Sequence, residues 1–251
     1  MQEKNEKFKF TYDWFDFNIP NWKKQLLHLK NEKINVLEIG SFEGRSTVWI
    51  LEELFNNPES KLISIDSFDD IHYTQFFKNY EAIFYENIKM TGKEKQVEVM
   101  KSLSLDALVK LNYEKKIKFD FIYLYGSNVA SNVSEDAVLA WNLLKDGGIM
   151  TFDDYEWAKY KEEYNNPKIA IDAFIKCYEP HIEVIHKGYQ VTIKKVIREI
   201  KQSEIDDYPG HLKQMIMKFY GINDYNLLIM IISEPLIKIT YTSNEFVNKL
   251  I

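Results

Sequence analysis

Short, unbroken apolar runs alternate along the chain with longer stretches in which apolar residues return every three or four positions. The runs INVLEI (34–39), KLISID (61–66), QVEVMK (96–101), FDFIYLY (119–125) and IMTFDD (149–154) read as strands. A strand apolar on both faces must be covered above and below, so the pattern predicts an α/β fold with a parallel sheet between two layers of helices. The intervening segments supply those helices. One begins near Ser46 and turns Val48, Ile50, Leu51, Leu54 and Phe55 inward. A helical region rich in aromatic residues spans about 71–90, and LSLDALVKL follows the third strand. A later helix carries Val133, Ala137, Val138, Trp141 and Leu144 along one face. Asp146-Gly147-Gly148 reads as its left-handed stop, and Pro167 as the first turn of another helix. IEVIHKGYQVTIKKV (182–196) reads as two strands around a tight turn at Lys187-Gly188.

At 251 residues the chain is long enough for one sizeable core, and five Trp, sixteen Tyr and sixteen Phe supply the apolar material. The formal charge of -6 weighs against broad binding of nucleic acid, which needs a basic face. Cys177 is the single cysteine, so there is no internal disulfide, which suits a reducing compartment. The amino terminus MQEKNEKFKF lacks the apolar centre of a signal peptide, and no apolar run is long enough to span a membrane. These features read as a cytoplasmic protein. After Ile197, PGHLKQMIMKFYG looks helical and YNLLIMIISEPLIKITYT looks like one strand or two around Pro235. So apolar a segment must be covered, at the sheet edge or by a second copy in a homodimer.

The stretch VLEIGSFEGRST (36–47) ends a buried strand in two glycines and feeds a helix. Such a turn lets backbone approach a ligand, and the helix start offers N–H groups to an anion. A dinucleotide site requires a glycine where Phe42 stands, so a pyrophosphate fits poorly. A ligand with an adenosine and a smaller anionic end, such as a carboxylate, suits the turn better. Asp66, at the end of the second strand, is placed to accept hydrogen bonds from both ribose hydroxyls.

VLEIGSFEGRST, LISIDSF and FDFIYLYGSNVASNVSEDAVLAWNLLKDGGIMTFDDYEW together resemble the class I S-adenosylmethionine-dependent methyltransferases, and within them the catechol and macrolide-sugar O-methyltransferases. The resemblance covers about residues 8–197, which sets a domain at 1–198 and an extension at 199–251. It implies a Rossmann-like three-layer sandwich, with a mostly parallel seven-stranded sheet whose last strand is antiparallel. It further implies that Glu38, Gly40, Ser41, Gly44 and Ser46 surround the methionine part of S-adenosylmethionine, with Ser46 receiving its carboxylate. Asp66 would hold the ribose, Ser67 and Phe68 would border the adenosine, and Ser104 would lie near the adenine edge. Ser102 and Ser104 read equally well as helix caps.

The resemblance carries less of the chemistry. Metal-dependent relatives end the fourth strand in an aspartate ligand followed three residues later by a lysine or histidine base; here those positions hold Tyr125 and Asn128. The fifth-strand pair is present as Asp153-Asp154. Three accounts follow: Asp153 or Asp154 accepts the substrate's proton beside a weakened or absent metal site; Asn128 joins the two aspartates around a magnesium ion; or the chain binds the cofactor as a noncatalytic regulatory or interaction protein. The leading expectation is O-methylation of a small hydroxylated molecule, such as a sugar. Trp14, Trp22 and Trp157 read equally as cleft or core, while Trp49 and Trp141 read as core.

Overall fold

A computed structural model describes residues 7–68 and 79–197. The first half of the chain builds α1 (Ile19–Leu26), β1 (Asn35–Ile39), α2 (Arg45–Glu53), β2 (Lys61–Asp66), α3 (Tyr80–Thr91) and β3 (Val97–Lys101). The second half builds α4 (Ser104–Glu114), β4 (Phe119–Leu124), α5 (Ala130–Leu143), β5 (Leu144–Phe152), α6 (Pro167–Cys177), β6 (Ile182–Lys187) and β7 (Val191–Lys195). Seven strands form one sheet in the order β3-β2-β1-β4-β5-β7-β6. Every pairing is parallel except the two made by β7, which runs antiparallel to β5 and to β6. This is the expected Rossmann-like three-layer sandwich.

Period-two alternation within the buried strands divides the core into two layers. Leu37, Ile39, Ile122, Leu124 and Phe152 point toward α4, α5 and α6, while Val36, Phe121, Tyr123 and Ile149 point toward α1, α2 and α3. Glu38 shares the second face with Val36 and is fully buried there. The strand order reverses between β1 and β4, where open α/β sheets place their ligand crevice beyond the carboxyl ends of the strands. Register brings those ends level: Ile39 pairs with both Ile65 and Leu124, and Leu124 with Phe152.

Some local expectations are revised. The Asp146-Gly147-Gly148 turn does not cap α5, which closes at Leu143 with Leu144 already extended. The β4–β5 pairing jumps from Phe119–Leu144 to Phe121–Ile149, so residues 145–148 bulge out of the strand, and Gly147 supplies the positive φ of 77° that the bulge requires. Val138 is 44% exposed, because the buried face of α5 runs through Ala137, Ala140 and Trp141 instead. Trp22 is core: it is fully buried, edge-on to Trp49, Phe121 and Tyr123. Trp49 and Trp141 are core as expected. Of the region 71–90, residues 80–90 are helical; 71–78, and the expected elements of 199–251, lie outside the described residues.

Gly40 is where the sheet tolerates least. Its φ is +82°, and a Cβ built there would fall on the Tyr125 carbonyl oxygen and 2.8 Å from Gly126 Cα. Both neighbours are backbone and have nowhere to go. Gly92, with φ +71°, has open space around the same position. Gly92→Ala is therefore expected to cost about 1 kcal/mol for the left-handed conformation alone. Gly40→Ala is expected to cost about 3 kcal/mol or more, because overpacking adds to the same conformational penalty. Urea unfolding of the two variants checks the difference; equal losses would mean that the β1 and β4 ends are not in this contact.

Candidate functional site

The loop after β1 is held from below and from the side. Below it, the Glu38 carboxylate accepts hydrogen bonds from the hydroxyls of Ser46 and Thr47 in the first turn of α2, and more distantly, at 3.4 Å, from Ser64. Burial pushes the Glu38 carboxyl up to about 7, against the pull of those hydroxyls. At the side, Asp66 Oδ2 accepts the Ser41 N–H at 2.8 Å and the Phe42 N–H at 3.0 Å, and Oδ1 accepts the Phe68 N–H at 2.8 Å. Ser41 adds a hydroxyl contact to Ser64 at 2.7 Å. Asp66 thus braces the loop after β1, with lone pairs left for further donors.

Gly44 is the N-cap of α2, with φ +80° and no side-chain cap, so the first-turn N–H groups have no carbonyl or side-chain acceptor from the helix itself. That end suits an anion. The hydroxyl of Ser46 is already committed to Glu38, so the part left for Ser46 is its backbone N–H. The N-terminal segment crosses beside this end: Arg45 pairs with Asp13 and Asp16, Thr11 N–H donates to Glu43, and Trp14 lies 5.1 Å from the Phe42 ring. Ser67 is half-buried, and Phe68 is buried against Phe84.

A second cluster lies at the ends of β4 and β5, around a small pocket. Tyr125, Asn128, Asp136, Asp153 and Asp154 line it, with Leu124 and Phe152 as apolar wall. Asp153 is buried, and both its oxygens are occupied. Oδ2 accepts from the Tyr123 hydroxyl and, at 2.9 Å, from the Gln190 amide; Oδ1 accepts the Asp154 N–H at 2.8 Å. Gln190 in turn accepts the Trp22 indole N–H at 2.8 Å. Asp154 has φ +56° and accepts from the Tyr189 hydroxyl at 2.7 Å and from the Asn128 side chain. Burial, then the neighbouring Asp154 charge, raises the Asp153 carboxyl to about 7, and burial raises Asp154 as well. The Tyr123 hydroxyl is pushed well up by burial and by Asp153.

The donor set does not suit a divalent cation. A hard cation needs converging oxygen lone pairs, whereas two hydroxyls and two amides point their hydrogens at this carboxylate pair. Among the described residues no three His, Cys, Asp or Glu side chains converge as a metal group. Asn128 donates to Asp154 and so orients it. Ser104, the first residue of α4, donates to the buried Asp136.

Residues 37–155 match the family model of a methyltransferase domain. The fold that carries them is the Rossmann-like methyltransferase fold. The chain resembles solved structures along most of its length. An O-methyltransferase from Bacillus cereus, in complex with S-adenosylhomocysteine, shares 18% identity and a TM-score of 0.57, covering 74% of this chain and 84% of that one. A putative O-methyltransferase from Klebsiella pneumoniae gives 18% and 0.54 over 74% and 83%. The O-methyltransferase TomG from Streptomyces achromogenes, in complex with S-adenosylmethionine, gives 18% and 0.53 over 70% and 79%. No curated protein matches in sequence.

Sequence reasoning brought out Glu38, Asp66, Asp153 and Asp154 but missed Tyr123, Gln190, Tyr189 and Asp136. Asp136 had a signal, since it shares the apolar face of α5 with Val133, Ala137 and Ala140. Gln190 had none, being one polar residue in a hairpin turn.

The raised Glu38 carboxyl sets a pH dependence. The folded protein keeps a proton that the unfolded chain releases near 4.5, so this contribution to stability is full below 4.5 and lost as pH rises through about 7. Glu38→Gln is expected to remove that decline, on the order of 3 kcal/mol between the two ends. Urea midpoints of both proteins across this range check it; parallel curves would show Glu38 to be ionised throughout.

Proposed function

We propose that the chain binds S-adenosylmethionine at the carboxyl ends of β1 and β2 and methylates a hydroxyl of a small molecule, with Asp154, backed by Asp153, taking the proton and without a divalent ion. The observation that carries this reading is the buried carboxylate pair, wrapped in hydrogen-bond donors at the end of β5, beside the β1–β4 junction at Gly40. The ligands of the Bacillus cereus and Streptomyces achromogenes structures support the choice of cofactor. The setting in this chain fits it too: an uncapped helix start for the carboxylate, and Asp66 for the ribose hydroxyls.

When bound, S-adenosylmethionine supplies an electrophilic methyl group on a sulfonium. The residues of the chain position the acceptor and dispose of its proton. The acceptor's hydroxyl proton would pass to Asp154, whose carboxyl is raised by burial, and the cofactor that gives up its methyl group would leave as the neutral thioether. Tyr189 and Asn128 aim that carboxyl, while Tyr123 and Gln190 fix Asp153 behind it. No lysine, arginine or histidine lines the cavity among the described residues, which disfavours an anionic acceptor. Carboxylates, an amide and a hydroxyl around Leu124 and Phe152 suit a neutral polyhydroxylated compound such as a sugar, met in the cytoplasm.

Calorimetry with S-adenosylhomocysteine tests the cofactor. Asp66→Ala is expected to weaken binding about tenfold to a hundredfold, the range for a charge-assisted hydrogen bond. Unchanged affinity in a variant that melts like wild type would remove Asp66 from the site.

Magnesium and a chelator are expected to leave that affinity the same. Tyr125→Asp combined with Asn128→His is expected to create saturable magnesium binding, because a third carboxylate then joins the pair from β4. Stoichiometric binding by the unmodified protein would overturn the metal-free reading.

A further inference from the structure

The outer face of α4 carries the wrong residues for a free surface. Ala107, Leu108 and Leu111 point into the core, so the opposite side of the helix should be polar. Instead Leu105, Val109 and Tyr113, four residues apart and so one above the other, are 43%, 52% and 87% exposed. Leu103, at the N-cap, adds another apolar side chain that is 65% exposed. Single exposed apolar residues are ordinary, but a row along a whole helix marks a contact surface.

Charges flank this row on one side. Asp106, Lys110 and Glu114 also follow one another at four-residue steps, in the order minus, plus, minus. Glu114 pairs with Lys116 at 3.2 Å, whereas Asp106 and Lys110 form no ion pair among the described residues, not even with each other. A twofold axis perpendicular to two packed helices makes them antiparallel and sets the same flank of each face to face. With that axis level with Leu108, Asp106 of one copy comes level with Lys110 of the other, twice over. Tyr113 comes level with Leu103, Leu105 and Val109 fill the centre, and Glu114 falls level with the uncharged Ser102. An axis level with Lys110 would instead set that lysine against itself and Asp106 against Glu114, so the charges select the first register.

We infer that α4 is the face on which a second copy of this chain docks, antiparallel across a twofold axis. The apolar row lies at the centre of the contact and two Asp106–Lys110 pairs lie beside it. The self-match identifies the occupant, because the row and its flanking charges, once reversed, supply their own complement. The inference stands independently of the cofactor reading.

Sedimentation velocity of the full chain over a range of concentrations tests it. Wild type is expected to pass from dimer to monomer on dilution through the micromolar range, as a small interface allows. Val109→Glu, which puts a charge at the centre, is expected to leave monomer at every concentration. Asp106→Lys and Lys110→Asp, taken singly, set like charges against each other and are each expected to weaken the dimer about tenfold or more. Combining the two is expected to bring the dimer back to within about threefold of wild type, because opposite charges meet again. All three positions are exposed, so melting temperatures near that of wild type check that each variant is folded. A monomeric wild type, a dimer that Val109→Glu leaves intact, or one that the double reversal fails to restore would overturn the inference.

Discussion

The contact between the backbone of Gly40 and the carbonyl of Tyr125 leaves no room for a side chain, and much of the site depends on it. It draws the end of β1 against the end of β4 at the point where strand order reverses. Tyr125 N–H closes the junction onto Ile39 O at 2.7 Å, and Gly40 N–H reaches Ile65 O at 2.8 Å, so three strand ends are tied at one place. The loop that follows is then presented to Asp66, and the start of α2 is set above Glu38. Had the two ends been splayed by even one methyl group, the loop after β1 and the cavity after β4 would face different openings.

Four acids gather at this edge of the sheet: Glu38, Asp136, Asp153 and Asp154, all buried. None is neutralised by a buried lysine or arginine among the described residues. Each is held by hydroxyls, amides or backbone N–H groups, which stabilise a carboxyl in either protonation state less selectively than a cation does. The result is a set of acids whose carboxyls burial raises, instead of a set of fixed ion pairs. Such a surrounding favours proton handling and works against a divalent ion, because the donors already point where the metal would sit.

Most of the sheet was legible in the sequence because parallel strands covered on both faces read as unbroken apolar runs. INVLEI and FDFIYLY announced the two central strands for that reason. The turn at Asp146-Gly147-Gly148 misled because a positive-φ glycine serves a helix stop and a strand bulge equally well, and only the partner strand decides. Within the site, Asp66 and Asp153-Asp154 were readable from their position at strand ends. Asp136 was readable only as an acid out of place on an apolar face. Trp22 and Gln190 were not readable at all, since their partnership joins positions 168 residues apart.

That long-range partnership governs the order in which the molecule becomes complete. Asp153 is fixed by Tyr123 from within the central sheet, but also by Gln190, which arrives with the β6–β7 hairpin and is itself seated by Trp22 in α1. Tyr189, which holds Asp154, comes with the same hairpin. During synthesis the end proposed to hold the cofactor, built from β1, β2 and α2, has all its parts well before the hairpin emerges, whereas the end proposed to take the proton waits for it. The two halves of the candidate site therefore mature at different times, and the half that would do chemistry is finished only when α1 and the β6–β7 hairpin have found each other.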